Sequence, residues 1–333
     1  MKKPENANDV VPLVPAPGGG VDTAEVEDAI RAWVTHPAFM RLVADFGGPA
    51  VDRDLPEYLA ALEEFSVAWD FRAGRERNLA HSKEVLEGDE GKIFDAARTL
   101  GLRDAFERPA KARYDHCLIL GGMVRACVVR PLWAAGLRHT GVEFGDVTAL
   151  GGFRRLGGDE PALAEIAGMG DVVDELHAMD VGLRRAFAVA GEPKMEGEYI
   201  PEDPNRGWAV RRYHADGLPL TVVAAPSTQP ETRRANTADT YAWWAENVAE
   251  LGPGHRVLLV TSAIYVPFQH ADAVRMLASV HGCAVETVGA APELTGGLPQ
   301  QNFAATNYLQ EMRSTIRAMR MLQRHLRQDG DTA

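Results

Sequence analysis

The sequence predicts an α/β protein. It is a three-layer α/β/α core on a mostly parallel sheet, with a helical region before it and a helix at the C-terminal end. Three observations predict this. From Tyr114 onward, short apolar runs alternate with helical stripes, the pattern of parallel strands joined by crossovers. Two of those runs end in paired glycines, Gly121-Gly122 and Gly151-Gly152. Before residue 111 the apolar residues recur at helical spacing, and no strand candidate appears.

In chain order, residues 1–20 carry Pro, Gly and Asn without a continuous apolar core, and are expected to be a flexible tail rather than a signal peptide. Residues 21–110 are expected to be helical. Val26, Ile30 and Val34 form one stripe, and Leu59, Leu62, Phe65 and Trp69 another, with Asp52 or Asp54 as a cap and Pro56 in the first turn. Arg72, Arg75 and Arg77 crowd one corner of this region, which is expected either to be solvated or to reach an anionic ligand. Residues 111–290 form the α/β core. Its strands are expected at YDHCLIL from Tyr114, at Asp146–Gly152, Pro219–Ala225, Arg256–Val260 and Cys283–Gly289. A helical stripe covers Asp171 to Ala190, and another helix starts near Asn236 or Thr237. Residues 192–217 are polar and Pro-rich. They are expected to be an insertion or lid, its end one arm of a hairpin into the strand at Pro219. Residues 291–333 are expected to be a loop and a final helix from about Phe303 to Leu326.

Composition narrows the chemistry. The chain has 333 residues, a formal net charge of −12, 46% hydrophobic and 25% charged residues. Such a balance belongs to an ordinary globular protein and argues against nucleic acid or anionic membranes as partners. Three separated cysteines, Cys117, Cys127 and Cys283, are expected to be reduced and near the core, and with them a cytoplasmic location. The ten histidines form no H-E-x-x-H and no cluster with cysteine, so no metal site is expected. There is no G-x-G-x-x-G, no P-loop and no G-x-S-x-G elbow.

The polar turns point to one end of the sheet. Strand, glycine turn, helix presents backbone N–H groups to an anion. Arg125 and Arg130 follow the first glycine pair and Arg154 and Arg155 the second, and guanidinium groups suit phosphate or carboxylate. The loop ETRRANTADT carries Glu231, Arg234, Asn236, Thr237 and Asp239, and the strand from Arg256 closes on Thr261 and Ser262, with Tyr265 beyond. Such strand ends form a ligand crevice in open α/β folds. The expected ligand is a small phosphorylated or nucleotide-like anion held by Gly121, Gly122, Arg125, Gly151, Gly152, Arg154, Arg234, Asn236, Thr237, Thr261, Ser262 and Tyr265. Arg234 is expected to meet the anion itself or to pair with Glu231 or Asp239. In the enzyme reading, Glu231 or Asp239 is the general base. A binding module without turnover is the alternative, and an envelope-related accessory protein is a third reading that only the family resemblance described next implies. A homo-oligomer is compatible with all three.

From about Tyr114 to Gly289 the chain resembles the YdcF/SanA/ElyC-like domain family. The resemblance rests on the two Gly-Gly strand ends, the Glu231-to-Thr240 loop and Val260-Thr261-Ser262. It implies a Rossmann-like fold and a nucleotide-like ligand such as S-adenosylmethionine. The chain departs from the family pattern where Arg234 replaces serine, Asp239 and Thr240 replace glutamate and asparagine, and Tyr265 and Phe268 stand where histidine and arginine are usual.

Overall fold

The computed structural model describes residues 10–71, 89–103 and 108–330. The cluster of Arg72, Arg75 and Arg77 lies outside the described residues. Helices α1 (Thr23–Val34), α2 (Pro37–Asp45), α3 (Leu55–Phe65) and α4 (Glu90–Thr99) come first. Each of the first three starts on a side-chain cap. Asp22 accepts from Ala24 N, His36 from Ala38 N, and Asp54 from Glu57 N at 2.9 Å. A cap satisfies backbone donors that the helix itself leaves open. Trp69 is packed edge-on by Phe39, Phe46 and Phe65, which ties these short helices together.

The α/β part follows as β1 (Arg113–Ile119), α5 (Val124–His139), β2 (Glu143–Gly151), α6 (Glu160–Ile166), α7 (Glu175–Ala186), β3 (Lys194–Glu198), β4 (Trp208–Ala215), β5 (Leu218–Ala224), α8 (Thr237–Asn247), β6 (Arg256–Ser262), α9 (Val266–Ala273), the single turn α10 (Ser279–His281), β7 (Ala284–Ala290) and α11 (Ala305–Gly330). The sheet has seven strands in the order β3-β4-β5-β2-β1-β6-β7. The five from β5 to β7 are mutually parallel, and β3 and β4 are antiparallel additions at one edge. Alternation along each strand divides the core. Leu118, Leu259 and Val223 face the N-terminal helices, α8, α9 and α11. Ile119, Leu258 and Val222 face α5 and α7. The α/β class, the mostly parallel sheet and the closing helix all stand as the strand–helix alternation predicted.

Two expectations change. Residues 192–217 supply the strands β3 and β4 rather than an irregular lid, and β4 is the hairpin arm expected before Pro219. Asp216 and Gly217 both take positive φ, 49° and 77°, in a two-residue turn that joins β4 to β5. Asp180 of α7 ties β4 down by accepting from Tyr213 Oη at 2.6 Å and Arg211 at 3.0 Å. β3 was not legible because all five of its residues are exposed, so it has no apolar alternation. The N-terminal segment is also not a free tail from residue 10 on. Val11 N donates to Thr99 O at 2.8 Å, and Val285 N of β7 donates to Ala16 O at 3.0 Å, so the segment covers the β7 edge. His270 Nε2 sits 2.9 Å from Val14 O. A carbonyl only accepts, so Nε2 carries the proton and Nδ1 accepts from Thr287, 2.9 Å away.

Among the described residues no helix is long and apolar enough to cross a membrane. All three cysteines are buried and unpaired, and burial pushes their thiols up.

Two predictions follow from this packing. A Cβ at Gly182 of α7 would lie 1.8 Å from Cys127 O of α5, where Pro131 leaves that carbonyl without its helical donor. Gly182→Ala is expected to cost about 1 to 3 kcal/mol or more, measured by denaturant unfolding. Burial holds His270 down to about 4 from its ordinary 6.5, partly opposed by the bond to Val14. Between those two values the unfolded chain binds a proton that the folded chain refuses. The contribution is therefore complete above about pH 6.5 and is lost as pH falls toward 4, by roughly 3 kcal/mol in total. His270→Gln is expected to remove this part of the pH dependence, read as the wild-type-minus-variant difference in unfolding free energy across that window.

Candidate functional site

Strand β1 lies between β2 and β6. The chain leaves β1 toward β2 and β5, then returns across the sheet to β6 and β7. Between β1 and β6 the order reverses, and a crevice opens beyond the strand C-termini. Gly121-Gly122 ends β1, Gly151 ends β2, and Ser262 ends β6, so these turns share one edge.

A cavity of about 410 Å³ occupies the β6 side of this edge. Gly122, Arg125 and Arg130 line it from the β1–α5 unit, and Ser262 and Tyr265 from the end of β6. Phe303 and Tyr308 close it before and within α11, and Phe94 and Arg103 close it from the N-terminal helical region. The size suits a small ligand.

Arg130 is 1% exposed. Its Nη1 donates to Leu120 O at 2.7 Å and to Gly121 O, and its Nε donates to Ser262 Oγ at 3.2 Å. Its guanidinium carbon lies 5.6 Å from the Tyr265 ring centroid. One side chain thus joins the ends of the two strands that frame the crevice. Arg125 donates to Pro299 O and makes no ion pair among the described residues. Burial lowers its pKa, and the charge of Asp159 offsets part of that. Arg103 lies 5.0 Å over the Phe94 ring.

On the β2 side is a buried charge cluster. Arg154 makes five hydrogen bonds: to Glu160 at 2.6 and 2.8 Å, to Glu175 at 3.2 Å, to Gly122 O at 3.1 Å and to Arg155 O at 3.2 Å. Those bonds use the whole guanidinium fork. Glu160 is fully buried and also accepts from Val124 N at 3.1 Å and Gly157 N at 3.0 Å. Val124 opens α5, so this carboxylate of the chain itself occupies the helix N-terminus. Burial works against the Glu160 charge, but the Arg154 and backbone bonds outweigh it and hold its pKa low.

The expected site residues therefore divide. Gly122, Arg125, Ser262 and Tyr265 line the cavity. Gly121, Gly151, Gly152 and Arg154 stand on the β2 side, where Gly152 O accepts from Leu176 N. Arg154, expected to meet a ligand, is engaged by the protein's own groups. Thr261 is buried and donates to Gln269. Arg234 is outside the cavity lining, and its charge acts on Glu175.

The two carboxylates expected as bases have other partners. Glu231 is 70% exposed and pairs with Arg206. Asp239 forms a capping box with Asn236 at the start of α8, where Thr237 is the first helical residue. It also accepts from Thr228 at 2.6 Å and from Arg233. Burial is outweighed by those bonds, and its pKa is lowered, the opposite of a base tuned upward. Arg103, Glu160 and Glu175 were not among the expected residues. Arg130 was marked only by following the first glycine pair. Among the described residues no group of three or more His, Cys, Asp or Glu is placed to hold a metal.

Asp239→Ala is expected to lower stability by about 1 to 3 kcal/mol through loss of the cap and ion pair. Anion affinity of the cavity is expected to stay unchanged. Thermal unfolding and calorimetric titration of the same variant check both halves.

Comparison with known proteins corrects the resemblance drawn from the motifs. Residues 17–101 match the family described as Rv3785 N-terminal domain, and the YdcF/SanA/ElyC-like assignment finds no support. Its motifs have local causes here: Gly121, Gly122 and Gly151 where helix or carboxylate meets a strand end, and a capping box at Asn236. No solved structure matches the chain. Uncharacterized protein Rv3785 of Mycobacterium tuberculosis is 33% identical over 343 residues, covering 94% of this chain and 93% of its own length. Uncharacterized protein Mb3814 of Mycobacterium bovis is similar to the same extent. With identity at that level over nearly the whole of both chains, the protein belongs to the Rv3785 family.

Proposed function

We propose that the protein binds a small phosphorylated or nucleotide-like anion in the cavity between the ends of β1 and β6. One observation carries this reading. Among the described residues, three guanidinium groups, Arg103, Arg125 and Arg130, line the cavity, against a single carboxylate, the exposed Glu293. In a chain of net charge −12, that concentration of cations is a local exception. Tyr265, Phe303, Tyr308 and Phe94 add aromatic wall, which suits a planar group attached to the anion. Arg130 is held by strand-end carbonyls and supplies fixed positive charge, while Arg125 is the more available donor.

Neither Glu231 nor Asp239 lines the cavity, so the reading is of binding and does not use them as bases. S-adenosylmethionine rested on the family resemblance alone and forms no part of it.

Calorimetric titration with AMP, ADP and inorganic phosphate tests the reading. A nucleotide is expected to bind more tightly than phosphate. Arg125→Ala is expected to lose about 1.5 to 3 kcal/mol of that binding, the scale of a charged hydrogen bond, with little change in melting temperature. Equal affinity in wild type and variant, or no binding of any of the three, overturns it.

A further inference from the structure

The cavity between the ends of β1 and β6 has two cationic ends with an aromatic wall between them. At one end the Arg130 guanidinium carbon lies 5.6 Å from the Tyr265 ring centroid, and Ser262 Oγ accepts from Arg130 Nε. Arg125, from the first turn of the same helix, lines the cavity as well. From Tyr265 a run of rings follows the lining. Tyr265 meets Phe303 at 6.3 Å between centroids, Phe303 meets Tyr308 at 6.2 Å, and Tyr308 meets Phe94 at 5.7 Å, each pair edge-on. The run ends where the Arg103 guanidinium lies 5.0 Å over the Phe94 ring. Arg130 and Arg103 therefore rest on different rings, with two more rings between, and all of these side chains line the cavity.

Arg103 is positioned by the end of α4 and not by a partner charge. Gly101 takes a positive φ of 77°, and Leu102 N donates back to Ala97 O at 2.8 Å, which closes the helix. Leu102 is fully buried, so the chain is pinned just before Arg103. Arg103 itself is half-buried and makes no hydrogen bond or ion pair among the described residues. Arg130, by contrast, donates to the strand-end carbonyls of Leu120 and Gly121. A guanidinium has five N–H donors. One held in a cavity wall with those donors unspent is placed to bond an anion.

We propose that the ligand carries two separate anionic groups and a planar ring system, as a nucleoside 3′,5′-bisphosphate does. One anionic group meets Arg125 at the Arg130 end, the other meets Arg103, and the planar ring packs on the aromatic run. This rests on the cavity being an anion site and adds the class of ligand. Phe94 and Arg103 come from the helical N-terminal region, and Arg125 and Arg130 from the α/β part, so such a ligand bridges the two. An anion whose phosphates sit together engages one cationic end.

Adenosine 3′,5′-bisphosphate and ADP are isomers. The first has its phosphates on two positions of the ribose, the second has both on one. Calorimetric titration of the unmodified protein is expected to show the 3′,5′-bisphosphate binding tighter than ADP by about tenfold or more, the scale of one added charged hydrogen bond. Arg103→Met, which keeps an apolar stem over Phe94, is expected to bring the two isomers to near-equal affinity and to weaken AMP less than the 3′,5′-bisphosphate, with little change in melting temperature. Arg103→Lys, which keeps the charge, is expected to retain part of the preference. Equal binding of the isomers by the unmodified protein, a preference that survives in Arg103→Met, or a loss in that variant shared equally by AMP overturns the two-ended ligand and leaves the anion site standing. If AMP, ADP and the 3′,5′-bisphosphate all fail to bind the unmodified protein, the anion site fails, and the two-ended ligand fails with it.

Discussion

Three successive carbonyls at the end of β1 are held by two arginines, the buried Arg130 and the partly buried Arg154, and the functional edge depends on this. Leu120 and Gly121 accept from Arg130, and Gly122 accepts from Arg154. A strand end normally turns its last carbonyls to water or to a following helix. Here a cation from α5 and a cation from the turn after β2 take them, so the glycine turn is held from both sides. Arg130 extends the hold to Ser262 on β6, and Arg154 extends it to α6 and α7 through Glu160 and Glu175. Removing one member of such a buried set leaves a charge without its partner, which costs about 3 to 5 kcal/mol.

The helical N-terminal region belongs to the same physical unit as the sheet. Ile30, Trp33, Leu59 and Trp69 share one continuous core with Leu118, Leu259 and the buried face of α11. The region reaches the cavity through Phe94 and Arg103. The match to the Rv3785 N-terminal domain covers residues 17–101, while the full-length relatives align over nearly the whole chain. A shared core gives that co-occurrence a physical reason. The helices bury apolar faces against one face of the sheet.

Much of the fold was legible because it depends on local periodicity. Five apolar runs from Tyr114 to Gly289 became five parallel strands, and the stripe from Asp171 to Ala190 became α7. The places where sequence reading failed share a cause. β3 is a fully exposed edge strand, ordered by its pairing with β4 rather than by its own pattern. Residues 10–20 look like a linker by composition, and are ordered because His270, Thr99 and Val285 lie where their backbone can bond.

What the sequence by itself determined was the alternation of strands and helices, the glycine turns at the strand ends and the capping signal at Asn236. Each is set by residues within a few positions of one another, through steric freedom, burial period or a side chain reaching its own backbone. What only the tertiary structure decided was the partner of each charge. Asp239 and Arg154 carry the residue types of a ligand site, yet their nearest opposite charges are Arg233, Glu160 and Glu175. Arg130 was marked only by following the first glycine pair and Glu175 by no motif, and they stand on opposite sides of the Gly121-Gly122 turn because strand order brings β1 beside both β2 and β6. A guanidinium bonds whichever acceptor the fold brings within about 3 Å, and sequence spacing does not encode that distance.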